Sequence, residues 1–162
     1  MERQGDVVVV ALAERPELIP GVTEALRREW ADWYGREDFT DTLFEFSRRA
    51  RTDALPMTLV AVDGARLVGA ASLVQASIAT HAHLTNWIGG LWVTPERRGQ
   101  GIGAALVEAA CDHAKRLGMG DLHAATATAE ALFVRAGFER IDTATLDAHP
   151  GEPIAVLRKR LT

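Results

Sequence analysis

The run Leu91-Trp92-Val93-Thr94-Pro95-Glu96-Arg97-Arg98-Gly99-Gln100-Gly101-Ile102-Gly103-Ala104-Ala105-Leu106 carries the most chemistry in the sequence. A short apolar strand leads into a glycine-rich loop, and a helix starts inside that loop. Consecutive backbone N–H groups at the positive end of a helix form a cradle for phosphate. Glycines let the backbone close on such a ligand with no Cβ in the way. The spacing Gly99-x-Gly101-x-x-Ala104 also fits a loose dinucleotide fingerprint. Context argues against that ligand. A dinucleotide fold sets its glycines directly after its first strand and an acidic residue at the end of the next. Here Thr94–Arg98 intervenes, and Asp121 precedes the next strand. A nucleoside-triphosphate loop is excluded because no Gly-Lys-Ser/Thr follows.

The remaining reactive side chains are sparse. Cys111 is the single cysteine, so no internal disulfide or Cys-rich zinc site is expected, and it reads as a core thiol within a helix. His81-x-His83 has the look of a metal pair, but no third ligand accompanies it and no metal is expected. His113 and His123 read as structural.

Periodicity supplies the elements that must hold these groups. Val7–Ala13 reads as a strand, broken by Arg15-Pro16. From Pro20, the residues Val22, Leu26, Trp30 and Trp33 recur at helical spacing up to Gly35. Asp38 or Thr40 can cap a second helix that turns Leu43, Phe46 and Ala50 inward and ends before Pro56. Met57–Val62 and Arg66–Gln75, joined at Asp63-Gly64, read as a hairpin. Trp87–Val93 is a strand interrupted by Gly89-Gly90. Gly101–Leu117 is a helix expected to bury Ile102, Leu106, Ala109, Ala110, His113 and Leu117. Asp121–Ala125 follows as a strand. A short helix capped by Thr126 or Thr128 ends at Gly137, and two strands, Phe138–Leu146 and Ile154–Arg160, flank the turn-rich Asp147–Pro153. The order β α α β β β α β α β β predicts an α/β fold with a mixed sheet flanked by helices, in a single domain over 1–162.

Composition agrees. The 162 residues are 48% hydrophobic and 25% charged, as in a soluble globular chain, and suit one domain. The net charge of −4 disfavours a nucleic-acid partner. The polar start Met1–Asp6 has no apolar core for a secretory leader, and Val7–Ala13 is too short to span a bilayer. No membrane association is expected, and the expected location is cytoplasmic.

Arg98-x-x-Gly101-x-Gly103, with its lead-in Leu91–Glu96, resembles the acetyl-CoA pyrophosphate loop of the GNAT (Gcn5-related) N-acetyltransferases. Ala131–Phe138, ending in Gly137-Phe138, resembles a second motif of that family. The resemblance covers Met57–Phe138 by motif and the rest by element order. It implies the GNAT fold, acetyl-CoA as co-substrate, and acetyl transfer to a primary amine of a small molecule or peptide. A homodimer is common among similar proteins.

The resemblance also assigns residues. Leu91, Trp92 and Val93 would run beside the pantetheine arm. Arg98, Gly99, Gln100, Gly101, Ile102, Gly103 and Ala104 would hold the pyrophosphate, and Arg97 would meet phosphate beside the loop. Gly89-Gly90 would suit a bulge that splays this strand from the next and frees an N–H for the thioester oxygen. Many family members place a tyrosine four residues before the glycine of the second motif; here that residue is Phe133, which cannot donate a proton and would pack on the coenzyme. His83, just before the central strand, is the candidate base that takes the amine proton. Glu24, Glu29, Asp32, Glu37 and Asp38, interleaved with Trp30, Trp33 and Tyr34, form an acidic, aromatic stretch that would suit a cationic acceptor or simply be a helix with a solvated face. A catalytically impaired CoA-binding sensor of the same fold is the alternative.

Overall fold

The computed structural model describes residues 6–34, 37–146 and 149–161. The Met1–Gly5 start, Gly35 and Asp147 lie outside the described residues, as does the Trp33 side chain. Seven strands form one mixed sheet: β1 Val7–Ala11, β2 Met57–Asp63, β3 Arg66–Val74, β4 Trp87–Val93, β5 Asp121–Thr126, β6 Glu139–Leu146 and β7 His149–Arg160. Their order across the sheet is β1-β2-β3-β4-β5-β7-β6. All neighbours are antiparallel except β4 and β5, which the helix α4, Ile102–Arg116, joins as a parallel crossover.

Burial explains why these segments are strands. β2 and β3 read almost entirely buried, as expected of strands covered on both faces. One face carries α4 and the short α5, Glu130–Arg135, over a core that includes Met57, Ala71, Ile88, Leu106, Leu122 and Leu157. The opposite face carries α1, Ile19–Glu29, and α3, Phe39–Arg48, over Leu12, Val60, Ala70 and Trp92. A separate cluster on that second face packs Trp87 with Ile78, Ala144, Ile154 and Val156. Asp38 caps α3 by accepting from the Asp41 N–H at 3.3 Å. No helix among the described residues is long and apolar enough to cross a membrane.

Three boundaries and one buried helix face differ from the expectation. The first strand stops at Ala11, where the chain tightens into a short 3-10 turn. The first helix breaks at Trp30, whose backbone leaves the helical region (φ −121°, ψ 60°), and a single turn α2, Ala31–Tyr34, follows. The buried stripe of α4 is Ile102, Leu106, Val107, Ala110, Cys111 and Ala114, rotated from the expected one, so His113 lies at its margin and meets the Thr52 carbonyl at 2.8 Å. The last strand begins at His149 and runs through Pro153. It tolerates that proline because β5 reaches only Ala155, so no ladder bond to β5 is lost.

Candidate functional site

The site begins with a defect in β4. Ala70 of β3 sits opposite Trp92, but Ser72 sits opposite Gly89, so β4 holds one extra residue in that stretch. Gly90 takes φ +59° there. β4 pairs with β5 only at Trp87–His123 and Ile88–Ala124, and beyond these the two strands part. The Thr94 N–H donates to Val68 O on β3 at 2.9 Å. By strand alternation, the N–H and C=O of Val93 and Leu91 face away from β3, into the gap that β5 leaves.

The chain then makes a 3-10 turn over Pro95–Arg97 and enters α4 through Gly99 (φ +80°) and Gly101 (φ +84°). A left-handed residue directly before the first helical turn is the reason glycine stands at 101. The Ala105 N–H closes the first helical bond on Gly101 O. The N–H groups of Ile102, Gly103 and Ala104 precede it and have no intrahelical acceptor. Together with the helix dipole they present partial positive charge to the mouth of the gap.

Around these groups lies a cleft of about 1000 Å³. Leu91, Trp92 and Val93 line it from β4, Arg98, Gly99 and Gly101 from the loop, and Ile102, Gly103 and Ala104 from α4. Arg98 reaches across: its Nε donates to Val93 O at 2.9 Å and its Nη2 meets Glu29 Oε1 at 2.9 Å. Arg97 also lines the cleft, but its guanidinium is bonded to protein. Its Nη1 meets Asp63 Oδ2 at 2.9 Å and its Nε donates to Gln100 Oε1 at 2.9 Å, which ties the loop to the β2–β3 hairpin.

Three expected residues are not brought to the cleft. The Gln100 side chain is taken up by Arg97. Phe133 is 3% exposed in the main core, edge-on to Phe138 with ring centroids 5.2 Å apart, so it packs on protein. His83 is exposed and stacks on His81, away from the cleft. His81 instead is buried: its Nε2 donates to Asp142 Oδ2 and its Nδ1 accepts from Thr80 Oγ1, each at 2.8 Å. That hydrogen bond holds the Asp142 carboxyl below its ordinary pKa. His123 donates through Nδ1 to Thr85 O at 2.8 Å and is a buried structural residue, as expected. No group of three or more metal-binding side chains occurs among the described residues.

Other wall residues come from the second motif and its surroundings, and Lys159 carried no sequence signal. Thr128, Ala129, Leu132, Arg135 and Lys159 close the side opposite β4. Lys159 donates to Ala136 O at 2.7 Å, and it comes from the last strand, nearly sixty residues beyond the loop. Cys111 reaches the cleft wall but is 4% exposed, and burial pushes its thiol pKa up. Glu29 and Trp30, from the acidic aromatic stretch, line the cleft beside Trp92. Tyr34 does not. It packs on Phe46 at 6.5 Å between centroids, and burial raises its pKa.

The arrangement suits an extended ligand with an amide-bearing arm and a diphosphate. A comparison with curated protein sequences finds no match. Among solved structures, an aminoglycoside 6'-N-acetyltransferase complexed with coenzyme A is similar at a TM-score of 0.76 and 14% identity, covering 96% of this chain and 97% of that one. The yncA protein of Salmonella typhimurium, solved with its cofactor acetyl-CoA, gives 0.75 and 17%, covering 97% and 95%. A spermidine N-acetyltransferase SpeG chimera from Vibrio cholerae and hSSAT gives 0.71 and 15%, covering 96% of each. At these identities the likeness establishes the fold. The model of the acetyltransferase (GNAT) family matches residues 19–138, so the chain belongs to the GNAT acetyltransferase family.

Proposed function

We propose that the chain is an N-acetyltransferase that moves the acetyl group of acetyl-CoA to a primary amine by direct attack within a ternary complex. The observation that carries this reading is the continuity of backbone that has no strand or helix partner. The Leu91 and Val93 groups facing the gap lead into the N–H groups of the Gly99–Ala104 loop, and both line one cleft. An arm with alternating amides fits the first and a diphosphate fits the second, so the residues present suit coenzyme A. Solved neighbours that contain coenzyme A or acetyl-CoA support the same fit. When bound, the coenzyme supplies its acyl group as a thioester.

This chain's own residues then do three things. The β4 backbone orients the arm as an added strand would. The loop N–H groups and the α4 dipole neutralise phosphate charge. The extra residue at Gly89-Gly90 leaves an N–H at the bulge to meet negative charge developing on the carbonyl oxygen. The attacking amine must be neutral, and its lone pair forms the new C–N bond as the C–S bond breaks. With His83 outside the cleft and Phe133 in the core, water carries the proton away. The departing thiol is acidic enough, with a pKa of about 8.5 by analogy with cysteine, to leave without a donor.

Calorimetry with acetyl-CoA tests the reading. The wild type is expected to bind, and Gly101→Glu to abolish binding, since the side chain would strain a left-handed position and place a carboxylate on the phosphate cradle. If neither coenzyme A nor acetyl-CoA binds, the reading fails. The second reading, a coenzyme-binding module without turnover, is favoured by one observation: the only tyrosine lies away from the cleft. Thiol release with any amine of a panel excludes it.

A further inference from the structure

Arg98 holds a position that binding of the arm would contest. Its Nε occupies Val93 O, a backbone acceptor that faces the gap. Its Nη2 pairs with Glu29, whose side chain is 34% exposed, while Arg98 is 50% exposed. Among the described residues, Arg98 is the ion-pair partner of Glu29. Glu29 ends α1, and next to it in the cleft wall stand Trp30 and Trp92.

We propose that Arg98 and Glu29 form an exchangeable latch: the coenzyme's diphosphate draws Arg98 away, and the freed Glu29 carboxylate takes a cationic nitrogen of the acceptor. This rests on the coenzyme reading above. The exchange is favoured on energetic grounds. A half-exposed ion pair is worth about 0–1 kcal/mol and is readily given up. An arginine–phosphate contact is charge-assisted, can be bidentate, and suits the planar fork better than a single carboxylate oxygen does. The same movement frees Val93 O for an amide of the arm, so both ends of the coenzyme gain from it. What remains is an unpaired carboxylate beside two indoles, which is a site for an ammonium group.

The latch defines an acceptor class and a binding order. The nitrogen held by Glu29 stays cationic and cannot attack. The acceptor therefore carries at least two amines, one bound to Glu29 and one neutral at the thioester. Without coenzyme, Arg98 already pairs with Glu29, and the amine must compete with it. Coenzyme and amine then promote each other's binding by the same factor, as linkage requires.

Calorimetry with coenzyme A, and with 1,4-diaminobutane as the cationic probe, tests this on the whole chain. The wild type is expected to bind diaminobutane about threefold to fivefold more tightly with saturating coenzyme A than without it, the factor that releasing an ion pair of up to about 1 kcal/mol allows. Glu29→Gln should bind coenzyme A at equal or higher affinity, because no ion pair must break, while its coenzyme complex loses diaminobutane affinity about tenfold or more. Arg98→Gln should bind diaminobutane without coenzyme A, so that the coupling factor falls to near one. This variant carries the test if Glu29→Gln does not fold. Glu24→Gln, which removes an exposed charge on the same helix, should behave as the wild type. Diaminobutane binding that ignores coenzyme A, no binding to the coenzyme complex, or undiminished coupling in either cleft variant overturns the latch alone. A wild type that binds no coenzyme A overturns the coenzyme reading and the latch together.

Discussion

Gly69→Ala probes the contact on which the site's geometry stands. Gly69 lies in β3 opposite Val93, directly beneath α4. A Cβ there would lie 2.9 Å from Leu106 Cδ1, 3.0 Å from Trp92 O and 3.3 Å from Ile102 Cγ2. Leu106 is fully buried, so its methyl has no open space to move into. Trp92 O belongs to the backbone of β4 and can retreat only if the β3–β4 ladder opens. Relief therefore falls on α4, which must lift at its first turn, where Ile102 stands. Overpacking of this kind costs about 1–3 kcal/mol. For a chain of this size that corresponds to a fall of about 2–12 °C in Tm. The lift also moves the N–H groups of residues 102–104, so acetyl-CoA affinity should fall by about threefold to tenfold. Thermal melts and calorimetry on Gly69→Ala, beside Gly120→Ala, measure both. A Cβ at Gly120 meets nothing within 4 Å, and that variant should match the wild type. If Gly69→Ala melts within about 1 °C of the wild type and binds acetyl-CoA unchanged, the claim that α4 is seated by that glycine is wrong.

Arg97→Ala should loosen the loop from the β2–β3 hairpin, because the Arg97 side chain is 12% exposed and joins Asp63 to Gln100. We expect a stability loss of about 1–3 kcal/mol in urea melts and acetyl-CoA binding weaker by about tenfold, with Asp63→Asn showing part of both effects. Asp142→Asn should destabilise the fold at neutral pH. The Asp142 pKa is lowered in the folded state by the His81 hydrogen bond, so this stability is present above the unfolded value of 3.8 and is lost as pH falls through the folded one. Melts of both proteins across pH should therefore converge below pH 3.8, and a constant gap would refute the assignment. Cys111 should react with a thiol reagent far more slowly in the native protein than in urea, given its burial and raised pKa; equal rates would contradict its placement.

Much of this architecture was readable in the sequence, and the failures have physical causes. The hairpin at Asp63-Gly64, the strand Trp87–Val93 and the glycine-led helix after it emerged at or near their observed ends, because each is set by local turn chemistry and periodicity. Gly89-Gly90 pointed to the bulge for the same reason, since two adjacent glycines in a strand mark a break in pairing. The α4 stripe was misplaced because small alanines give periodicity little contrast; only the packed helix shows that Val107 and Ala114 face in and His113 does not. Side-chain destinations were harder still. Two adjacent arginines look alike in a sequence, yet Asp63 of a distant hairpin captures Arg97 while Glu29 of the first helix meets Arg98. The resemblance sets Phe133 beside the coenzyme, and His83 stands just before the central strand, but a sequence does not show that Phe133 packs on Phe138 and His83 stacks on His81. Lys159 reaches the cleft only through antiparallel pairing of β7 with β5.

The uneven distribution of the cores gives the molecule a mechanical bias. Under α4 and α5 the apolar packing runs unbroken beneath both halves of the sheet, from Ala11 and Met57 to Leu122 and Leu157. On the other side it is divided, with Trp92 in one cluster and Trp87 in another. The two halves are thus joined on both faces near Trp87, where Ala144, Ile154 and Val156 pack on it, and on the α4 face alone near Trp92, like the covers of a book bound at one end. Widening the slit therefore costs most near Trp87 and least at the Trp92 end, on the margin where Glu29 and Trp30 stand.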